Sequence, residues 1–170
     1  VFDEETKLVS IKDFVAPELM FNEDYAYNTS LSTPMVNHFK ETAEMLNMKF
    51  RPRKVLEIGS NDGYLLNHFK KYTNNIVGLD ASKKMTLLAN KKNIFTINGL
   101  MDQNSKNKIT TYYNKFDLII ANNVINHMDE LKISIKMIKS LLSSKGVFVF
   151  EQPYWLDTIK TIKYDQIYHE

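Results

Sequence analysis

Five short apolar runs, separated by polar or amphipathic stretches, constrain this chain more than any other feature: VLEI at 55–58, IVGLD at 76–80, IFTI at 94–97, FDLIIA at 116–121 and VFVFEQ at 147–152. Runs so short and so nearly continuous in apolar residues fit strands covered on both faces, the usual condition of a parallel sheet. Parallel strands need crossover connections, and the intervening segments supply them. Leu65, Leu66 and Phe69 mark one helix, Met85, Leu88 and Ala89 a second, and Leu131, Ile135, Ile138, Leu141 and Leu142 a third. The stretch 102–113 is polar and only weakly periodic. The pattern predicts an α/β fold with helices on both faces of a mainly parallel sheet.

Residues 1–50 read differently, as an N-terminal arm and a helix; residues 51–170 form the α/β domain. The arm shows no sustained period. The helix starts near Ser32, because Ser32 or Thr33 can cap it, Pro34 suits its first turn, and Val36, Phe39, Ala43 and Leu46 share one face. A formal charge of +2, from 22 basic and 20 acidic side chains, argues against nucleic acid or an anionic membrane as partner. With no cysteine there is neither a disulfide nor a thiolate metal site, and no metal is expected. No apolar run nears the roughly 18 residues of a membrane span, and the first residues, VFDEETK, are acidic. A soluble, cytoplasmic protein is the expectation.

The segment KVLEIGSNDGYLL, 54–66, carries the chemistry. A buried strand bearing Glu57 runs through Gly59 and Gly63 into a helix, the layout of a nucleotide-binding first βα turn. Gly59 suits a tight turn, and Gly63 suits close packing of the helix start. A dinucleotide fingerprint would need glycines at 59, 61 and 64, but Asn61 and Tyr64 stand at the last two, and no Gly-Lys-Ser/Thr follows for a phosphate loop. A carboxylate at Glu57 repels a pyrophosphate and suits a cationic ligand. Asp80 ends the second strand, where it can hold ribose hydroxyls or simply cap the helix beginning near Ser82. Asn122 and Asn123 end the fourth strand as ligands or as loop formers. His127 lies beyond them, either in the site or on the surface ahead of a cap at Asp129. The lysine pairs at 70–71, 83–84 and 91–92 read as solvated helix faces.

Together, E-x-G-x-x-x-G, an acidic second-strand end and a polar fourth-strand end resemble a class I methyltransferase. That resemblance implies a Rossmann-like three-layer sandwich, sheet order 3-2-1-4-5, with S-adenosylmethionine as cofactor, held by Glu57, Gly59, Asn61, Gly63, Asp80 and Asn122. Further stretches are similar to the sugar C-methyltransferases that act on nucleotide-linked keto-deoxysugars: EDYAYNTSLS at 23–32, GSNDG at 59–63, ANNVINH at 121–127 and EQPYWLD…YDQIYHE at 151–170. That resemblance implies a nucleotide-sugar substrate and a base that removes the proton beside the sugar's keto group. His127 and Tyr168 are then companions that donate to or orient the keto sugar, Tyr27 closes over the pocket, and Glu170 orients the base.

The family's presumed base would follow Glu170, and the family's cysteine-rich zinc segment, sugar-binding second domain and last two strands have no counterpart in these residues. The expectation is a core fragment, C-terminally incomplete, that keeps the cofactor fold and transfers little methyl by itself. Its fifth strand is then an unguarded edge through which the chain would self-associate. Alternatives are a small-molecule O- or N-methyltransferase, which shares the cofactor residues without needing Tyr168-His169-Glu170, and a non-catalytic S-adenosylmethionine-binding module.

Overall fold

The strands are β1 (Val55–Ile58), β2 (Ile76–Asp80), β3 (Thr96–Asn98), β4 (Phe116–Asn122) and β5 (Leu142–Glu151), all parallel and ordered β3-β2-β1-β4-β5. The computed structural model describes residues 2–7, 16–21, 28–31, 33–128 and 130–162. A single turn, α1 (Pro17–Met20), precedes α2 (Thr33–Phe50); α3 (Tyr64–Phe69), α4 (Lys83–Lys91), α5 (Gln103–Tyr112), α6 (Leu131–Leu141) and α7 (Trp155–Thr161) follow. β1 and β2 are buried at every position, as central strands of a doubly covered sheet must be.

Alternation along the strands divides the core into two layers. Val55, Leu118 and Ile120 face Phe39, Ala43 and Leu46 of α2 and Leu65, Leu66 and Phe69 of α3. Leu56, Ile58, Val77, Leu79, Ile119 and Ala121 face Ile109 of α5 and Met137, Ile138 and Leu141 of α6. The result is the expected three-layer α/β sandwich with the expected strand order. No helix among the described residues is long and apolar enough to cross a membrane.

Several local expectations change. β3 begins at Thr96 rather than Ile94, because the Ile94 N–H donates to Ala89 O at the end of α4 and the fully buried Ile94 side chain packs on Gly63. Residues 103–112, polar and weakly periodic in sequence, form a helix started by Asp102, whose side chain accepts the Ser105 N–H at 2.7 Å. α6 buries Ser134, Met137, Ile138 and Leu141, so its inner face is rotated away from Ile135, and Leu142 opens β5 instead of ending the helix. β5 starts five residues before the expected Val147, through an irregularity in its pairing with β4 between Phe116 and Leu118. It stands at the sheet edge with Phe150 exposed. Ser32 and Asp129, the expected caps, lie outside the described residues.

Candidate functional site

All the chemistry-bearing loops meet at the carboxyl ends of β1, β2 and β4, the crevice where open α/β sheets take ligands. The β1–α3 turn is held tightly. The Gly59 and Ser60 N–H groups donate to Leu79 O at 2.7 and 3.1 Å, and the Gly63 N–H donates to Ser60 O at 2.9 Å. Gly59, Asn61 and Gly63 have φ of 70°, 49° and 77°, values that favour glycine or asparagine. Packing also demands both glycines: a Cβ on Gly59 would overlap Val124, and one on Gly63 would lie 2.9 Å from Ile94 Cγ2. A third close approach went unread in the sequence. A Cβ on Gly78, mid-β2, would sit 2.5 Å from Ser60 Oγ.

Three carboxyl groups underlie this turn. Glu57, Asp62 and Asp80 are 4%, 0% and 7% exposed. Asp80 accepts the Asn61 N–H at 2.7 Å through one oxygen and the Ser82 N–H at 2.8 Å through the other. It thus fixes the glycine turn and the residue that caps α4, whose Oγ accepts from Met85 N. Burial pushes the Asp80 carboxyl up to about 6 against those two backbone bonds, with Asp62 adding a further upward push. Glu57 is driven well above the ordinary carboxylate range, first by burial and then by Asp80 and Asp62, opposed by a backbone hydrogen bond from Leu66. Its Oε2 is buried without a hydrogen-bond partner in the described structure.

Lys92 stays exposed at the end of α4, as expected of the lysine pair 91–92, and it also pairs with the buried Asp62 of the turn. Lys92 Nζ lies 2.5 Å from Asp62 Oδ2, and Lys70 Nζ donates to Lys92 O at 3.0 Å. The remaining expected site residues fall beside the turn or outside the described set. Asn122 ends β4, half-buried, with Nδ2 enclosed and unbonded. Asn123 follows at φ 53° and donates its N–H to Glu151 O at 2.7 Å. His127 closes a short 3-10 turn over Ile125–His127, half-buried, its ring edge-on to Phe21 at 6.1 Å. Tyr27, Tyr168, His169 and Glu170 lie outside the described residues.

One more pair at the carboxyl edge was not legible in advance. His38 Nε2 of α2 meets Glu151 Oε2 of β5 at 2.6 Å, both about two-fifths exposed. The pair ties α2 to the strand end that also receives Asn123. Glu151 opens the stretch EQPYWLD, but His38 lies in no motif and 113 positions separate the two.

The residues present fit a cofactor with a ribose and positive charge. Each Asp80 oxygen keeps a lone pair for a hydroxyl after its backbone bond, and Glu57 and Asn122 hold an unused acceptor and an unused donor.

Comparison with known proteins agrees with that geometry. A family model described as a methyltransferase domain matches residues 35–170. The C-methyltransferase NovU of Streptomyces niveus is 23% identical over 166 residues, 96% of this chain and 39% of that protein. An S-adenosylmethionine-dependent methyltransferase from Clostridium acetobutylicum shares the fold with TM-score 0.61 at 18% identity, over 74% of this chain and 54% of that one. The plantazolicin methyltransferase BpumL, solved with a triazolic desmethylPZN analog and SAH, gives 0.60 at 18% identity, over 78% and 52%. The chain therefore spans 39% of the curated relative and about half of these structures.

Proposed function

The chain belongs to the methyltransferase-domain family, and on that premise we propose that it binds S-adenosylmethionine for transfer of a methyl group to carbon in a nucleotide-linked keto-deoxysugar. The observation that carries the cofactor reading is the buried, partly unbonded Glu57 beside Asp80, flanking one glycine turn. Buried carboxylates there disfavour a pyrophosphate and favour a cation. Asp80 takes the ribose hydroxyls; Glu57 and Asn122 face the amino-acid end. Bound in that crevice, S-adenosylmethionine supplies an electrophilic methyl group on a sulfonium.

The sugar reading rests on the stretches at 23–32, 121–127 and 151–170 and on 23% identity to a C-methyltransferase. In that reading His127 and Tyr168 donate to the keto oxygen as the proton beside it is removed, stabilising the developing enolate. Tyr27 covers the pocket, and Glu170 orients the base. Calorimetry of the chain with S-adenosylmethionine and its demethylated product, S-adenosylhomocysteine, tests the first part; no saturable binding refutes it. Incubation of the protein with S-adenosylmethionine and keto-deoxysugar nucleotides, with NMR of the product, tests the second. A methyl on oxygen or nitrogen would overturn the C-methylation reading.

A further inference from the structure

The three buried carboxyl groups under the glycine turn are matched by a single ion-pairing cation among the described residues, Lys92, bound to Asp62 Oδ2 at 2.5 Å. The other Asp62 oxygen, Oδ1, is buried with no hydrogen-bond partner, as is Glu57 Oε2. Folding has therefore enclosed three carboxyl groups with one ion pair among them and two oxygens unbonded, and burial holds Glu57 toward its neutral form, a costly arrangement that a cationic ligand would relieve. Asp62 belongs to the turn itself, directly after Asn61, whose N–H Asp80 accepts at 2.7 Å, and there it adds an upward push on the carboxyl groups of both Glu57 and Asp80. Lys92 neutralises it incompletely, because Lys92 is 44% exposed and shared with solvent while Asp62 is wholly enclosed.

We propose that Asp62 is a specificity-determining residue that acts through its field alone, making the turn prefer the sulfonium cofactor over the neutral thioether left after methyl transfer. The proposal rests on the cofactor reading above. When a methyl group leaves, the S–CH3 bond breaks, its electron pair stays on sulfur, and the ligand loses one positive charge. The attraction of the turn falls with it. Asp62, engaged with Lys92 and fully buried, need not touch the ligand to have this effect. A unit charge felt across about 10 Å at an effective dielectric near 20 changes affinity about tenfold. Partial opposition by Lys92 brings the expected effect to about three- to tenfold.

The test is calorimetry on the whole chain with S-adenosylmethionine and S-adenosylhomocysteine, comparing the ratio of their affinities in wild type, Asp62→Asn and Lys92→Gln. Asp62→Asn keeps an oxygen for Lys92 and is expected to lower the ratio three- to tenfold. Lys92→Gln uncovers the Asp62 charge and is expected to raise it. Opposite signs from the two ends of one ion pair cannot come from loosened structure, which weakens both ligands together. If either variant fails to fold, the sign from the other decides. Binding of both ligands with a ratio unmoved, or moved in the same direction by both changes, overturns the charge proposal and leaves the cofactor reading intact. Failure of wild type to bind either ligand overturns both.

Discussion

Asp80 should make this protein less stable as the pH rises from about 4 to about 6. Its carboxyl is lifted from 3.8 to about 6 in the folded chain, so between those pH values the folded state holds a proton that the unfolded state has released. Stability then falls with rising pH, because the unfolded state binds fewer protons. The contribution is fully present below about pH 4 and gone above about pH 6. At roughly 1.4 kcal/mol per pH unit, the loss is about 3 kcal/mol. Asn keeps one of the two acceptor oxygens and loses one backbone bond at every pH, so Asp80→Asn should start below wild type near pH 4 and gain on it by up to about 3 kcal/mol by pH 7. Urea denaturation followed by circular dichroism across pH 4–7.5 reads both proteins directly. Other carboxyl groups contribute to each curve, but the difference between the curves isolates Asp80. A difference that does not grow with pH refutes the reasoning. The same variant should bind S-adenosylmethionine more weakly by about 1–3 kcal/mol, through lost charge-assisted bonds to ribose.

Gly59→Ala should be severely destabilising, by more than about 2 kcal/mol, since it combines a φ of 70° with overlap on Val124; an unchanged melting temperature would show that the Val124 side chain yields freely. Asp102→Ala removes the hydrogen bond to Ser105 that starts α5 and should lower stability by about 1 kcal/mol in the same urea assay. His38→Gln and Glu151→Gln break an ion pair whose side chains are 43% and 41% exposed, so each should change stability by less than about 1 kcal/mol, and a larger loss would mean that the pair anchors α2 more firmly than its exposure suggests.

Legibility followed locality. β1 and β2 could be bounded from sequence to the residue, because each is a short, mostly apolar run between polar punctuation, broken only by the acids of the site, Glu57 and Asp80. Ile94 misled because its buried apolar side chain serves the end of α4 and the Gly63 contact rather than a ladder. α5 escaped notice because it buries only Ser105 and Ile109, too narrow a stripe for a 3.6-residue period to show. In the site, Glu57, Gly59, Asn61, Gly63 and Asp80 were readable since two adjacent βα turns contain them all. Asp62–Lys92 and His38–Glu151, separated by 30 and 113 residues, exist as pairs only after the chain has folded.

Within the turn, the two kinds of residue carry different information about function. Gly59 and Gly63 are required by this chain's own contacts with Val124 and Ile94, so their presence is explained with no ligand at all. The same holds for Gly78 against Ser60. The carboxyl groups are different. Asp80 is partly accounted for by the two backbone N–H groups it accepts, but Glu57 Oε2 and Asp62 Oδ1 gain nothing from the fold that encloses them. A chain selected for stability alone would replace them with apolar or amide side chains of similar size. The case for a cationic ligand at this turn therefore rests on what the fold leaves uncompensated, not on the glycines that first draw attention to it.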